Sequence, residues 1–187
     1  WQYPLVEIST AFIFLLTFKH IYPISSWQDF VYLCFTFYIL CSMIVIFVFD
    51  LKHYLIPDKI LLPAVIITFF YQLFFNYKFL FFYALLSAVA AFLFFWIIFL
   101  VSRGRWMGFG DCKLSILLGL FLGFPNVLLA IFLAFFLGAI ISLGAILAKK
   151  KGLKSQIPFA PFLITGTFIS MIFGQNIIRW YLNLFVF

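Results

Sequence analysis

A chain of 187 residues that is 67% hydrophobic and only 9% charged is not an ordinary soluble domain, in which about a quarter of residues carry charge. Its composition predicts an all-α, polytopic membrane bundle of about seven transmembrane helices at about 20 apolar residues each, one domain over 1–187. The net charge of +7 does not point to nucleic acid, because the lysines and arginines punctuate apolar runs and form no basic face with base-stacking spacing.

In chain order, the sequence opens on Trp1 and not Met, so the native start is expected upstream. Residues 1–25 lack a basic leading region and carry Glu7, which argues against a signal peptide. Apolar runs predict spans at about 3–18, 31–49, 60–75, 79–101, 112–124, 127–148 and 157–174. The run 112–124 is the short one, reaching only about 20 Å at 1.5 Å per residue. The apolar tail 177–187 is expected at the interface or as the end of a last helix. Cys34 and Cys41 stand a heptad apart in one apolar run and read as buried thiols. With Cys112 they offer neither a disulfide framework nor a zinc site, and no metal is expected.

Charge sets the orientation. If seven spans alternate, segments 50–59, 102–113 and 149–156 share one side. They hold Lys52, Lys59, Arg103, Arg105, Lys113, Lys149, Lys150, Lys151 and Lys154, nine of the twelve basic residues. Lys19, Lys78 and Arg179 fall on the other. Basic loops stay inside, so the first group is expected in the cytosol against anionic lipid, which also requires 112–124 to cross.

The chain has five acids: Glu7, Asp29, Asp50, Asp58 and Asp111. Asp29 reads as a helix-start residue. Asp58 follows Pro57, which disfavours helix before it, and suits a helix N-terminus, where a carboxylate meets free N–H groups. Asp50 closes an apolar run, at the helix end where the dipole disfavours negative charge, and has no comparable structural reason to be there. Asp111 follows Gly108-Phe109-Gly110, whose glycines free the backbone for close approach, and begins the short span. Capping alone would explain it, yet topology places it at the same depth and side as Asp50. Two converging carboxylates do not readily ionise together. One keeps a proton while the other takes one from water, the chemistry of an aspartyl protease. Other nucleophiles are poorly served: there is no Gly-x-Ser-x-Gly, His20 and His53 lie on opposite sides, and Cys112 has no histidine partner.

Asp50-Leu51…Ile56-Pro57-Asp58 and Gly108-Phe109-Gly110-Asp111-Cys112-Lys113-Leu114 together resemble the bacterial type IV prepilin peptidases, which are Gly-x-Gly-Asp aspartyl proteases. Tyr3-Pro4-Leu5-Val6-Glu7 is similar to the segment leading into the family's first protease-domain helix, and Ile157-Pro158-Phe159-Ala160-Pro161-Phe162 to its late Ile-Pro-Phe-Gly-Pro segment. The resemblance implies a multi-pass protein of the bacterial inner membrane. It would cleave basic leaders of prepilins and pseudopilins, of type IV pili or type II secretion, after a glycine at the cytosolic face. It implies catalytic roles for Asp50 and Asp111, with Gly108, Gly110, Lys113, Pro57, Asp58, Glu7 and Pro158 in support. Glu7 is expected to cap the first helix, or with Asp58 to receive the basic leader. No cofactor is implied for proteolysis. S-adenosylmethionine serves the family's N-methyltransferase activity, which accompanies a cysteine-rich loop ahead of the Tyr-Pro segment, and these residues do not include that loop. Three rivals remain: a preflagellin- or presenilin-like protease sharing the second aspartate motif, an ion- or proton-conducting protein, and an inactive assembly scaffold.

Overall fold

The computed structural model describes residues 2–75, 78–105, 107–147 and 158–184. Among these residues seven helices follow in order: α1 Gln2–Ile21, α2 Trp27–His53, α3 Asp58–Phe75, α4 Lys78–Ser102, α5 Phe109–Leu122, α6 Asn126–Leu147 and α7 Ala160–Asn183. No strand occurs among the described residues. Among the described residues five helices, α2, α3, α4, α6 and α7, are long and apolar enough to cross a membrane. The protein is a helical membrane bundle.

Local chemistry sets the boundaries. Ser26 caps α2: its hydroxyl accepts from the Asp29 N–H at 3.2 Å, and the Asp29 carboxylate accepts from the Ser26 N–H at 2.9 Å. This reciprocal box satisfies two orphan donors and gives Asp29 the helix-start role expected of it. At the other end Tyr54 turns left-handed (φ 56°), and its N–H returns to the Asp50 carbonyl at 2.9 Å. Pro57 then ends the break, its carbonyl accepting from Ile60 and Leu61 in the first turn of α3.

The core forms around α5. Its Leu114, Leu117 and Leu118 are fully buried against Ile39, Met43 and Ile46 of α2, Leu61 and Ala64 of α3, Phe95 of α4, and Leu163 and Ile164 of α7. Lipid is as apolar as leucine, so association here depends on close packing more than on escape from water. Two glycines permit it: Gly119 lies against the backbone of Ala88 in α4, and Gly166 against that of Ala130 in α6. Rings such as Phe74, Phe82 and Phe132 face outward, as expected of a lipid-facing surface.

Side-chain contacts fix which helix ends share a side. Lys113 reaches Asp58, joining the N-termini of α3 and α5. Gln72, near the end of α3, donates to the Leu120 carbonyl near the end of α5 at 2.6 Å, and Ser170 of α7 to the Asn126 carbonyl at the start of α6 at 2.7 Å. Consecutive helices therefore alternate in direction, as short connections require.

Two expectations change, and of the two places expected for the tail the structure has the end of the last helix. Cys34 and Cys41 are exposed and only Cys112 is buried, because the heptad places the first pair on the outer face of α2. The tail from 177 continues α7 without a break through Asn183, since Asn176 and Arg179 interrupt its apolarity but not its helix. The run at 112–124 starts at Phe109 and makes a helix of 14 residues. Trp1, Lys149, Lys150, Lys151, Lys154, Ile157 and the final residues of the tail lie outside the described residues.

Candidate active site

The two acids singled out by sequence are brought together. Asp50 sits in the last turn of α2 and Asp111 in the first turn of α5, 5% and 7% exposed, the two buried acids among the five. Their carboxylates lie close enough for the charges to repel one another. Asp111 receives a backbone hydrogen bond from Gly108, and a Cβ at Gly108 would stand in ordinary contact, 3.8 Å, with the Asp111 Oδ2. One buried oxygen of Asp50, Oδ2, has no hydrogen-bond partner in the protein.

A partner that sequence reasoning missed comes from the other end of the chain. The backbone of Ala160, the first residue of α7, hydrogen-bonds the Asp50 carboxylate. Asp50 thus lies at the unfavourable C-terminal end of its own helix and at the favourable N-terminal end of α7, where free N–H groups welcome an anion. The Pro158-Phe159-Ala160-Pro161 stretch was the available signal: Pro161 is compatible with the first turn of a helix, where its missing N–H costs nothing. What it served could not be read, because a main-chain donor leaves no mark on residue type.

The two acid motifs are fastened together at their edges. Lys113 Nζ lies 2.9 Å and 2.8 Å from the two Asp58 oxygens, and stands 5.5 Å above the Phe109 ring. Both Asp58 oxygens thus already accept from Lys113, while the side chain stays half exposed. Gly110 approaches Ile56 so closely that a Cβ would fall 3.1 to 3.3 Å from three of its side-chain carbons. Ile56 and Asp58 flank Pro57, so the loop after Asp50 is held against the turn that carries Asp111. Glu7 is not in the first turn of α1, which starts at Gln2, so it does not cap that helix; it is exposed. Alternation of the helices puts it at the aspartate end of the bundle.

The family described as type IV leader peptidase matches residues 37–143, more than half of the chain and both aspartates. The chain belongs to this family. It is 31% identical to a prepilin leader peptidase/N-methyltransferase of Pseudomonas aeruginosa and 30% identical to one of Aeromonas salmonicida, in each case over 97% of this chain and 62% of the relative. A third, from Bacillus subtilis, is 27% identical over 54% of this chain and 40% of its own length. The chain thus spans about 62% of the length of the first two relatives. No solved structure matches it.

The relatives' second named activity invites a test of S-adenosylmethionine against these residues. A cavity of about 300 Å³ between α3, α4 and α5 is lined by apolar side chains such as Phe69, Phe92 and Ile116, with nothing to hold the cofactor's charged amino-acid end. A polar cavity exists, but at the end of the bundle away from the aspartates. Neither of these two cavities offers such a site beside the aspartates. No cluster of three metal-ligating side chains occurs among the described residues.

Proposed function

We propose that this chain is an aspartic endopeptidase that removes basic leader peptides from type IV prepilins and pseudopilins, cutting after glycine at the cytosolic face of the bacterial inner membrane. The observation that carries the proposal is the meeting of two buried carboxylates, Asp50 and Asp111, from separate helices at one end of the bundle. Family membership supports the substrate class. The side is supported by the basic loops, of which Lys52, Lys59, Arg103, Arg105 and Lys113 lie among the described residues.

In the proposed reaction a water lies between the carboxylates, one ionised and one protonated. The ionised carboxylate takes a proton as the water oxygen attacks the scissile carbonyl; the protonated one hydrogen-bonds the carbonyl oxygen as charge develops there. The proton acquired in the first step then passes to the leaving amine as the C–N bond breaks. Exchange of the shared proton restores the pair, which titrates and acts as a unit. The hydrogen bonds from Ala160 and Gly108 hold the carboxylates while this happens.

Cleavage of a leader peptide containing Gly-Phe by purified protein tests this reading. Asp50→Asn and Asp111→Asn are each expected to lower turnover by roughly 10²–10⁴-fold, the usual contribution of positioned acid–base groups. The double variant should be little worse than either, because the groups act together. Full turnover in either single variant would refute the assignment.

A further inference from the structure

The end of the bundle opposite the aspartates holds a second polar feature. A cavity of about 320 Å³ is lined there by His20 of α1, Tyr32 of α2, Asn126 of α6, and Gln175 and Asn176 of α7, over a floor that includes Phe121 and Leu122 at the end of α5. Its polar side chains come from four helices, the first two and the last two of the bundle. His20, Gln175 and Asn176 are exposed, so the cavity opens outward.

Its depth is the telling quantity. Helix α5 has 14 residues, and Leu122 lies about 20 Å from its first residue at 1.5 Å per residue. By the same rise Gln175 lies about 22 Å along α7 from Ala160, at the aspartate end. With the first residues of α5 and α7 at the near boundary of a hydrocarbon core about 30 Å thick, both positions lie about 8–10 Å short of its far boundary. The chain then leaves helix for Gly123, Phe124 and Pro125 before α6 starts. Irregular backbone at such depth is tolerated only where protein buries it or a water-filled cavity meets it.

Protein covers part of this end. Gln72 donates to the Leu120 carbonyl, and Ser170 to that of Asn126. Asn126 Oδ1 is buried and has no hydrogen-bond partner in the protein. A polar cavity with room for several waters and two to four partners for each is the setting in which water is held.

We propose that this cavity is a water-filled vestibule, open on the side away from the aspartates and reaching the end of α5, so that the apolar barrier beside the core helix is only about two-thirds of the bilayer's. Water hydrates Asn126 Oδ1 and the turn that follows α5. The short core helix spans because solvent comes down to meet it. None of this depends on the proposed proteolysis.

Thiol labelling tests it. In the full chain with Cys34→Ala and Cys41→Ala, which leaves only the fully buried Cys112, one further cysteine is placed at Gln175, at Leu122 or, as a lipid-facing control at nearly the same depth, at exposed Leu128. A membrane-impermeant maleimide is applied to each face of sealed membrane vesicles in turn, with Lys59→Cys marking the aspartate side. Thiols react as thiolates, which need water, so Gln175→Cys and Leu122→Cys should label at least about tenfold faster than Leu128→Cys, and from the face that leaves Lys59→Cys untouched. Equal rates at Gln175→Cys and Leu128→Cys would overturn the proposal. So would slow labelling of Leu122→Cys beside fast labelling of Gln175→Cys, since the vestibule would then end above the helix.

Discussion

Gly119 is where α5 lies closest to α4, and replacing it with alanine should loosen that pair. A Cβ built on Gly119 falls 2.6 Å from the Ala88 nitrogen and 2.8 Å from the Ser87 carbonyl carbon, and meets the Ala88 α-carbon as well. These are backbone atoms and cannot rotate away. Restoring ordinary contact of about 3.5 Å or more requires the helices to separate by several tenths of an ångström to about 1 Å. Overpacking of this kind costs about 1–3 kcal/mol, offset by up to about 1 kcal/mol of improved helix propensity. The control is Gly144→Ala on α6, where a Cβ meets nothing within 4 Å and only the propensity gain remains. Cys112, fully buried on α5, provides the assay: in the Cys34→Ala, Cys41→Ala background a thiol-reactive fluorophore reports its exposure during heating. Gly119→Ala should lower the midpoint by several degrees, at roughly 2–4 °C per kcal/mol for a chain of this size, while Gly144→Ala leaves it unchanged or raises it. Equal midpoints for Gly119→Ala and the parent would refute the close-packing argument.

Two further outcomes follow from the edges of the site. Gly110→Ala should displace Ile56 and lower cleavage of the Gly-Phe peptide, and adding Ile56→Ala should restore part of it by removing the carbons in the way; failure of the second change to help would show that the contact is not what constrains position 110. Lys113→Met should change thermal stability by no more than about 1 kcal/mol, because the Lys113 and Asp58 side chains are 32% and 52% exposed and an ion pair open to solvent contributes little. A larger loss in the same thiol assay would mean that the pair is shielded in the membrane.

How much of this was legible in sequence varied with the range of the interaction. Helix positions follow from apolar runs, and each of the seven predicted runs, the short 112–124 included, meets a helix among the described residues. The ends were less accessible. Asp50 stands three residues inside α2, not at its limit, because Leu51, Lys52 and His53 continue the helix after the apolar run has stopped. Glu7 looked like a cap because an acid near a chain's first helix suits its dipole, but α1 begins five residues earlier. Asp58 was placed correctly at a helix start, while its pairing with Lys113, 55 residues away, needed the packed bundle. Asp50 had no visible reason to be tolerated at a C-terminal helix end; the N-terminus of α7 supplies one, and no side chain announced it.

That last contact bears on how the protein is made. Asp50, Asp111 and Ala160 leave the ribosome in that order, and the donor that completes the surroundings of Asp50 is made 110 residues after it. At about 5–20 residues per second the wait is roughly 6–22 s. During it helices α3 to α6 are made in turn, and the earlier carboxylate lacks its α7 partner. The site therefore stays incomplete until Ala160 has been made, and a ribosome that stalls before it leaves a membrane-inserted fragment with both aspartates and without the helix end that steadies one of them.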